Sequence, residues 1–427
     1  MRKLLYVVLD GLGDLPTPEL NGKTPLEAAK TPNMDSLARK GKTGLMYPVR
    51  KGVAPESDVA VISILGYDPF KYHPARGVIE AVGAGLDFKD GELALRCNFA
   101  TVDESGKFIV DRRVGRNLTT EEAGKLAEAI NREVKLAYKP SEFIFKNTVA
   151  HRAVLVIRRL EGKLSGKITN VDPAYSKTLE GFGVAKSQPQ TKIEKCFPLD
   201  DSEEARVAAE LVNEFIEKSY KVLKNHELNL RRVKEGKLPA NFILARDAGD
   251  TVPKFPSFQE LYKVKFGCMA DMPVERGIAL LCGMEEVPLP QSTGDLKADY
   301  SLRAEKTLEA LESLDGVYIH IKGPDEPGHD GRAKEKMRIV ELIDEFYFGK
   351  LLAKLNLEET LIVVTADHAT PCVIKAHTDD PVPLLISGGG VLADEVDVFS
   401  EKACRKGKLG IINGSELMPL LIKLLKD

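Results

Sequence analysis

KLLYVVLDG, residues 3–11, is the stretch that decides the fold of this chain. Its apolar residues follow one another without polar alternation and end at Asp10, next to a glycine. Such a run is typical of a strand buried on both faces, as in a parallel sheet. Two later runs repeat the pattern: VYIHI, residues 317–321, leads into Asp325, and LIVVT, residues 361–365, is followed by another aspartate. The three runs predict three buried strands of one sheet.

Helical patterns lie between these strands. Residues 31–41, TPNMDSLARKG, offer Thr31 as the N-cap, a proline as the first helical residue and Gly41 as the stop. Further predicted elements are helices over residues 299–314, 334–355 and 417–425 and a strand over residues 382–386. Strands that alternate with helices predict a layered α/β/α domain with a mainly parallel sheet.

The middle of the chain has a different character. It contains many arginines and none of the aspartates that follow the buried runs. Its predicted elements are strands over residues 93–100, 108–110 and 153–157 and a long helix over residues 202–223. We therefore predict an inserted α+β domain over residues 71–254, between two parts of the α/β domain over residues 1–70 and 255–427.

Composition excludes several classes of function. A formal net charge of −3 over 427 residues argues against non-specific binding to nucleic acid or acidic membranes. The six cysteines lie far apart without a CxxC pair, which indicates reduced thiols. The short apolar run at the start fits a strand better than a signal peptide, and no stretch reaches the ~18 apolar residues of a membrane span. We expect a cytoplasmic protein.

The aspartates after the three buried runs are candidate ligands. In an open α/β sheet, ligands bind beyond the carboxyl ends of the strands. Asp10, Asp325 and Asp367 follow three such ends, so they are expected to converge although they are far apart in sequence. Each aspartate alone could equally cap a loop or a helix. The three together, two of them close to histidines, favour a shared site.

The histidines add borderline donors to these acids. Asp325 and His329 lie four apart in DEPGH, where the Pro-Gly pair predicts a turn, and Asp367 is followed by His368 and later by His377. A lone histidine is more often structural than a ligand. Aspartate and histidine together suit Mn²⁺ or Zn²⁺ without any thiolate. The donor set fits two divalent ions about 4 Å apart, the arrangement used in phosphoryl transfer.

Ser57 is the candidate nucleophile. It opens an apolar segment after Pro55, in APESDVAVISILG. A plain N-cap serine explains the same position. A hydroxyl at a helix N-terminus also faces the positive end of the helix dipole, and metal coordination would make it a competent nucleophile. The residues alone leave the two explanations open.

Four basic residues are candidate substrate ligands. Arg112 and Arg116 lie in DRRVGR, Arg246 is interpreted as closing the apolar run NFILA, and Lys322 stands three residues before Asp325. The planar guanidinium of arginine matches carboxylate and phosphate groups. Solvated surface residues are the alternative for each.

Five motifs in this order carry a family resemblance. They are VVLDGLGD (7–14), TPLEAAKTPNMDSLARKG (24–41), APESDVAVISILGYDP (54–69), IHIKGPDEPGHDG (319–331) and TADHATPCVIKAHTDDPVPLL (365–385). With them the chain resembles the archaeal-type phosphoglycerate mutases of the alkaline phosphatase superfamily that are independent of 2,3-bisphosphoglycerate. The resemblance implies an alkaline-phosphatase-like α/β domain interrupted by a substrate domain.

The resemblance also assigns the site. It implies one metal position from Asp10, Ser57, Asp367 and His368, a second from Asp325, His329 and His377, and Ser57 as the phosphoserine nucleophile. Arg112 and Arg116 correspond to an arginine-rich substrate strip, and Arg246 to a later substrate arginine. The chain departs from its bacterial relatives after Arg246, where Asp247 stands in place of a second arginine.

The implied reaction interconverts 3-phosphoglycerate and 2-phosphoglycerate in glycolysis and gluconeogenesis. It uses two divalent ions, Mn²⁺ first and Zn²⁺, Co²⁺ or Mg²⁺ as alternatives, and no 2,3-bisphosphoglycerate. The expected partner is the small substrate, with neither nucleic acid nor membrane, and the sequence leaves a homo-oligomer open. A metal-dependent phosphatase or phosphodiesterase of the same superfamily is the rival.

Overall fold

The computed structural model describes residues 2–72, 75–177, 183–185, 190–290 and 292–426. The strands are β1 (Lys3–Leu9), β2 (Gly41–Tyr47), β3 (Leu93–Val102), β4 (Ile109–Asp111), β5 (Ser141–Asn147), β6 (Arg152–Arg159), β7 (Tyr175–Lys177), β8 (Gly183–Ala185), β9 (Phe242–Gly249), β10 (Phe266–Ala270), β11 (Glu285–Glu286), β12 (Gly316–Ile321), β13 (Thr360–Thr365), β14 (Val382–Gly388) and β15 (Gly410–Asn413).

The α-helices are α1 (Pro25–Ala28), α2 (Pro32–Arg39), α3 (Ser57–Ile64), α4 (Pro69–Tyr72), α5 (Arg76–Gly83), α6 (Thr120–Glu133), α7 (Glu203–Lys224), α8 (Glu227–Lys234), α9 (Phe258–Tyr262), α10 (Pro273–Leu281), α11 (Leu296–Ser313), α12 (Asp325–Asp330), α13 (Ala333–Leu342), α14 (Gly349–Leu352), α15 (Glu401–Cys404) and α16 (Gly414–Lys426). Short 3₁₀ helices cover Pro18–Leu20 and Val114–Arg116, and a π-helical segment, Ile343–Phe348, runs between α13 and α14.

The first compact unit is built on an eight-stranded sheet. The unit comprises Met1–His73, Lys254–Asp271 and Ile278–Asp427. Its strand order is β11-β10-β12-β1-β13-β14-β2-β15. Only β14 runs antiparallel to its neighbours, and the remaining described pairs are parallel. Every residue of β12 and β13 is buried, as both faces of the sheet are covered. The predicted α/β class with a mainly parallel sheet is confirmed.

The second compact unit comprises Pro74–Pro253 and Met272–Gly277. Its main sheet has the order β4-β3-β6-β5, with β9 also paired to β3, and all of these pairs are antiparallel. Helices α6 and α7 pack against this sheet and against each other. Strands β7 and β8 form a separate antiparallel pair. That this unit is an inserted substrate domain stays a prediction.

Two local expectations need correction. Thr31 is the N-cap of α2, but Gly41 does not act as a helix stop, because it is the first residue of β2. A Cβ on Gly41 would lie 2.4 Å from the Ile386 carbonyl oxygen, so close strand approach explains this glycine. The long helix predicted over residues 334–355 is interrupted by the π-helical segment.

Two further properties bear on the class of protein. All six cysteines are buried as free thiols, as their spacing predicted. Within the described part of the chain, none of the helices combines the length and apolarity that crossing a membrane requires.

Candidate metal centre and arginine cluster

The three candidate aspartates lie at the ends of three neighbouring strands. Strand β1 lies between β12 and β13 and is parallel to both. Asp10 follows β1 directly, Asp367 lies two residues after β13, and Asp325 begins α12 after β12. Gly11 fits between them with a φ of 60°, and a Cβ there would lie 2.7 Å from Asp325 Oδ1. The sheet order therefore brings the three carboxylates together.

A first group of donor atoms surrounds His368 Nε2. Asp367 Oδ2 lies 3.2 Å and Asp10 Oδ1 3.5 Å from this nitrogen, and Ser57 Oγ lies 3.3 Å from it. Asp10 Oδ1 and Asp367 Oδ2 are buried and accept no hydrogen bond from the residues that the structure describes. Two buried carboxylate oxygens in this situation fit ligands of a cation.

A second group contains Asp325, His329 and His377. The predicted turn in DEPGH is wrong, because the segment forms helix α12. Proline is tolerated in the first turn of a helix, and Gly331, with a φ of 73°, ends this one. Asp325 and His329 therefore stand one turn apart on the same helical face, with Asp325 Oδ1 3.4 Å from His329 Nε2.

The protons on the two outer histidines are fixed by carbonyl groups. His377 Nδ1 lies 2.8 Å from the Pro55 carbonyl oxygen, and His329 Nδ1 lies 3.3 Å from that of Lys375. Since a carbonyl only accepts, each neutral ring carries its proton on Nδ1 and a lone pair on Nε2. The two Nε2 atoms face each other at 3.2 Å, and Asp325 Oδ1 lies 3.6 Å from His377 Nε2. Such converging lone pairs fit a cation between them.

The separations within each group also match a coordination shell. Ligand atoms about 2.1 Å from a tetrahedral ion lie about 3.4 Å apart. The first group shows 3.2–3.5 Å around one nitrogen, and the second shows 3.2–3.6 Å. The side chains present therefore fit two divalent ions. Donor atoms within 4.8 Å of one another also form two sets of three, one from Asp10, His320 and Asp367 and one from Asp325, His368 and His377, so His368 stands close to both groups.

The electrostatics agree with cation binding. Burial would raise the pKa of the Asp10 carboxyl, but Lys322, whose Nζ lies 2.9 Å from Oδ2, and nearby histidines hold it well below its usual value. Burial also opposes ionisation of Asp367, whose pKa is nevertheless lowered, chiefly by His368. The pKa of His368 is raised to about 9, because Asp367, Asp325 and Asp10 outweigh its burial. The carboxylates remain ionised at neutral pH.

Ser57 stands in the first turn of helix α3. The N-cap residue is Glu56, so the explanation of Ser57 as an N-cap serine is wrong by one position. The loop before it is attached to the second group through the hydrogen bond from His377 to the Pro55 carbonyl. The Ser57 hydroxyl thus lies at the positive end of a helix and beside His368.

Two residues near the metal groups gave no separate signal in the sequence. His320 lies on β12, and its Nε2 belongs to one set of donor atoms with Asp10 and Asp367, all within 4.8 Å of one another. VYIHI predicts only a buried strand, and a lone histidine there is usually structural. Thr370 lies between His368 and Asp325, and its hydroxyl contacts both.

The predicted substrate arginines lie in the second unit, where Asp172 pairs with two of them. Arg246 Nη1 lies 2.9 Å from Asp172 Oδ2, and Arg112 contacts the other oxygen of the same carboxylate. The Arg246 guanidinium also lies over the Tyr175 ring, 4.2 Å from its centre. Arg246 does not close a strand as interpreted from the sequence, because β9 continues to Gly249 and buries it. Asp172 is a further residue that the sequence did not single out.

The other two basic candidates have different surroundings. Arg116 is exposed at the end of the 3₁₀ turn after β4, with a φ of 55°. Lys322 lies in the first unit against Asp10, and 29% of its side chain is exposed. Arg112 is half-buried beside Asp172, and this burial lowers its pKa to about 10.

Comparison with known proteins places the chain in a family. The family model for 2,3-bisphosphoglycerate-independent phosphoglycerate mutase matches residues 38–229. Proteins of that name from Aeropyrum pernix and Thermococcus kodakarensis are 44% and 41% identical to this chain, each over 99% of it and over 99% and 97% of their own length. Among solved structures, a Pyrococcus horikoshii protein (34% identity, TM-score 0.78) matches over 100% of this chain and 97% of its own. The cofactor-independent phosphoglycerate mutase of Thermoplasma acidophilum (33% identity, TM-score 0.64) matches over 100% of both chains. The chain belongs to the 2,3-bisphosphoglycerate-independent phosphoglycerate mutases, the family that its motifs predicted.

Proposed function

We propose that this enzyme interconverts 3-phosphoglycerate and 2-phosphoglycerate through a phosphoserine at Ser57, in a site that holds two divalent ions. Family membership supports the reaction and its small phosphoglycerate substrate. The observation that carries the chemistry is the convergence of histidine lone pairs and ionised carboxylates in two groups, one of which adjoins the Ser57 hydroxyl.

Each group would hold one ion. The residues for the first are Asp10, Ser57, Asp367 and His368, and those for the second are Asp325, His329 and His377. Oxygen and nitrogen donors without thiolate suit Mn²⁺ first, with Zn²⁺, Co²⁺ and Mg²⁺ as alternatives. When bound, the ions supply positive charge to the phosphoryl oxygens and favour in-line displacement. No 2,3-bisphosphoglycerate is needed, because Ser57 itself carries the phosphoryl group between the two half-reactions.

Ser57 performs both transfers. In the first, Ser57 Oγ gives up its proton and bonds to phosphorus while the bond from phosphorus to the substrate oxygen breaks, and that oxygen leaves on glycerate and takes up a proton. In the second, the other glycerate hydroxyl gives up its proton and attacks phosphorus, and Ser57 Oγ leaves and takes a proton back. Its place in the first turn of α3 directs backbone N–H groups and the positive helix end towards the phosphoryl oxygens.

A mutase must also keep glycerate in the site until glycerate has reoriented. If glycerate escaped first, the phosphoserine would be hydrolysed and the enzyme would act as a phosphatase. We assign this task to the basic residues Arg112, Arg116, Arg246 and Lys322, and to the second unit as the substrate domain. Arg112 and Arg246 are held by one carboxylate, Asp172, which fixes their planes before substrate arrives. Guanidinium groups held in this way recognise the glycerate carboxylate or the phosphate in bidentate fashion.

Product analysis separates the mutase from its rival. We expect 3-phosphoglycerate to give 2-phosphoglycerate, detected by coupled enolase, with little free phosphate, in the presence of Mn²⁺. Parallel assays with Zn²⁺, Co²⁺ and Mg²⁺ rank the ions. Glycerate and phosphate as the main products would instead identify a phosphatase.

Ser57→Ala tests the covalent step. We expect a loss of activity of at least about 10⁴-fold, since removal of a nucleophile in other enzymes costs this much or more. Acid-quenched wild-type enzyme should carry one phosphoryl group on the peptide that contains Ser57, and the variant none. Ser63→Ala, a buried serine later in the same helix, is the matched control. Turnover unchanged by Ser57→Ala would remove the phosphoserine from the mechanism.

The cytoplasm is the proposed location. The six free, buried cysteines are compatible with a reducing compartment. Fractionation of cells that produce the protein tests this directly.

A further inference from the structure

We propose that Thr370 is a positioning residue that links the two metal groups and supports the first ion through His368. The proposal rests on the metal sites of the proposed function. Thr370 is fully buried, and its hydroxyl lies 2.9 Å from His368 Nδ1 and 2.8 Å from Asp325 Oδ1. One hydroxyl therefore contacts a ligand of each group.

The direction of both hydrogen bonds follows from proton counting. A threonine hydroxyl has one proton, and the ionised Asp325 carboxylate only accepts. Thr370 therefore donates to Asp325 and accepts from the Nδ1–H of His368. Once an ion displaces the second proton of this ring, the lone pair lies on His368 Nε2, the atom that faces Asp10 and Asp367.

The resulting chain runs from carboxylate through hydroxyl and imidazole to the first ion. A carboxylate that accepts, directly or in a chain, from the far side of a histidine fixes its tautomer and makes its other nitrogen a better donor. Here that carboxylate is itself a candidate ligand of the second ion. The charge on Asp325 therefore supports both ions, one directly and the other through Thr370.

The backbone holds Thr370 in this position. Its N–H donates to the Gly13 carbonyl at 2.9 Å, and its carbonyl accepts from Lys336 Nζ at 3.0 Å. A Cβ on Gly328 would lie 2.4 Å from the same carbonyl oxygen. The loop after β13 is thus attached to the loop after β1 and packed against α12, so the hydroxyl has little freedom to turn elsewhere.

Metal titration tests the link without relying on turnover. Metal-stripped full-length enzyme is titrated with Mn²⁺, and electron paramagnetic resonance measures free ion and the interaction of paired ions. We expect wild type to bind two ions, Thr370→Val to bind the first ion about 10- to 100-fold more weakly, and Thr370→Ser to resemble wild type. If Thr370→Val does not fold, Thr370→Ala removes the same hydroxyl and takes its place.

A matched variant separates positioning from general destabilisation. Thr365 is a buried threonine on β13 whose hydroxyl bonds to the Pro383 carbonyl and not to a residue of the metal groups. Thr365→Val should lower thermal stability but keep wild-type ion affinity. The proposal is overturned if Thr370→Val binds both ions as wild type does, or if Thr365→Val weakens them equally. If wild type itself fails to bind a pair of ions, the metal assignment of the proposed function fails instead.

Discussion

The metal groups of the first unit and the arginine cluster of the second unit differ in how their buried charged groups are paired. Asp10 Oδ1 and Asp367 Oδ2, one oxygen of each carboxylate, lack hydrogen-bond donors among the described residues. In the second unit, Asp172 joins Arg112 to Arg246, and Glu80 joins Arg96 to a neighbouring arginine. One region is built to be completed by cations. The other places its arginines against buried carboxylates, so these charges are set in position before any ligand is present.

Removal of the metal ions should give the largest effect and should be confined to the first region. Chelation is expected to abolish mutase activity and to lower the unfolding temperature, since ions at about 100 times their Kd stabilise by about 2.7 kcal/mol. Calorimetry with and without Mn²⁺ measures the shift.

Asp367→Asn provides the control for this effect. It removes one ionised donor that lies 3.2 Å from His368 Nε2. Added Mn²⁺ should therefore stabilise the variant much less than wild type. Equal stabilisation of both proteins would show that this group of residues does not bind an ion.

Asp172→Asn tests the pairing of arginines with a buried carboxylate in the second region. The change leaves the buried Arg246 beside Arg112 without the carboxylate between them, and breaking a buried pair in this way costs about 3 kcal/mol. We expect a raised KM for 3-phosphoglycerate and unchanged Mn²⁺ binding, measured by coupled assay and by titration.

The exposed pair Glu121–Lys125 of the same unit offers a matched control. Glu121→Gln makes the same acid-to-amide change on the surface of α6 and should alter neither KM nor stability measurably. A wild-type KM in Asp172→Asn would show that the carboxylate does not set the arginines for substrate.

The two regions also differ in how much the sequence could predict. Strands β1, β12 and β13 are continuous apolar runs that have few alternatives to a buried parallel sheet, and the fold class followed from them. The ligands stand beside these runs in short motifs, so their convergence could be inferred before the structure was known. Their role as ligands stays a prediction until ions are measured.

Other features depend on contacts that no local pattern records. Asp172 meets Arg246 across 74 residues of sequence, and nothing in NVDPAY marks it as a partner for arginine. Thr370 is one polar residue in a motif already explained by its neighbours. The DEPGH segment predicted a turn because proline and glycine usually favour one. The structure shows a helix instead, in which Gly328 packs directly against the Thr370 carbonyl, a contact that leaves no room for a side chain.

Glu401 offers the smallest test, in a part of the first unit that lies outside the metal groups. Its Oε1 accepts from the Asp14 N–H at 3.2 Å and its Oε2 from the Thr24 hydroxyl at 2.7 Å, and Lys336 and the Asp14 carboxylate are the nearby charges. Burial raises the pKa of Glu401 to about 7 from an ordinary 4.5. Well below pH 4.5 Glu401 is protonated in both the folded and the unfolded chain, so this residue does not lower the free energy of unfolding there.

As the pH rises from 4.5 to 7, the unfolded chain releases the Glu401 proton while the folded chain retains it, and stability falls. Between pH 5.5 and 7 this amounts to about 2 kcal/mol. Glu401→Gln cannot ionise, so its free energy of unfolding should decline less over this range than that of wild type, as urea titrations at several pH values would measure. The exposed Glu416→Gln should keep the wild-type decline. If Glu401→Gln also keeps it, Glu401 is ionised in the folded enzyme and is a further buried, charged carboxylate of the first unit outside its metal groups.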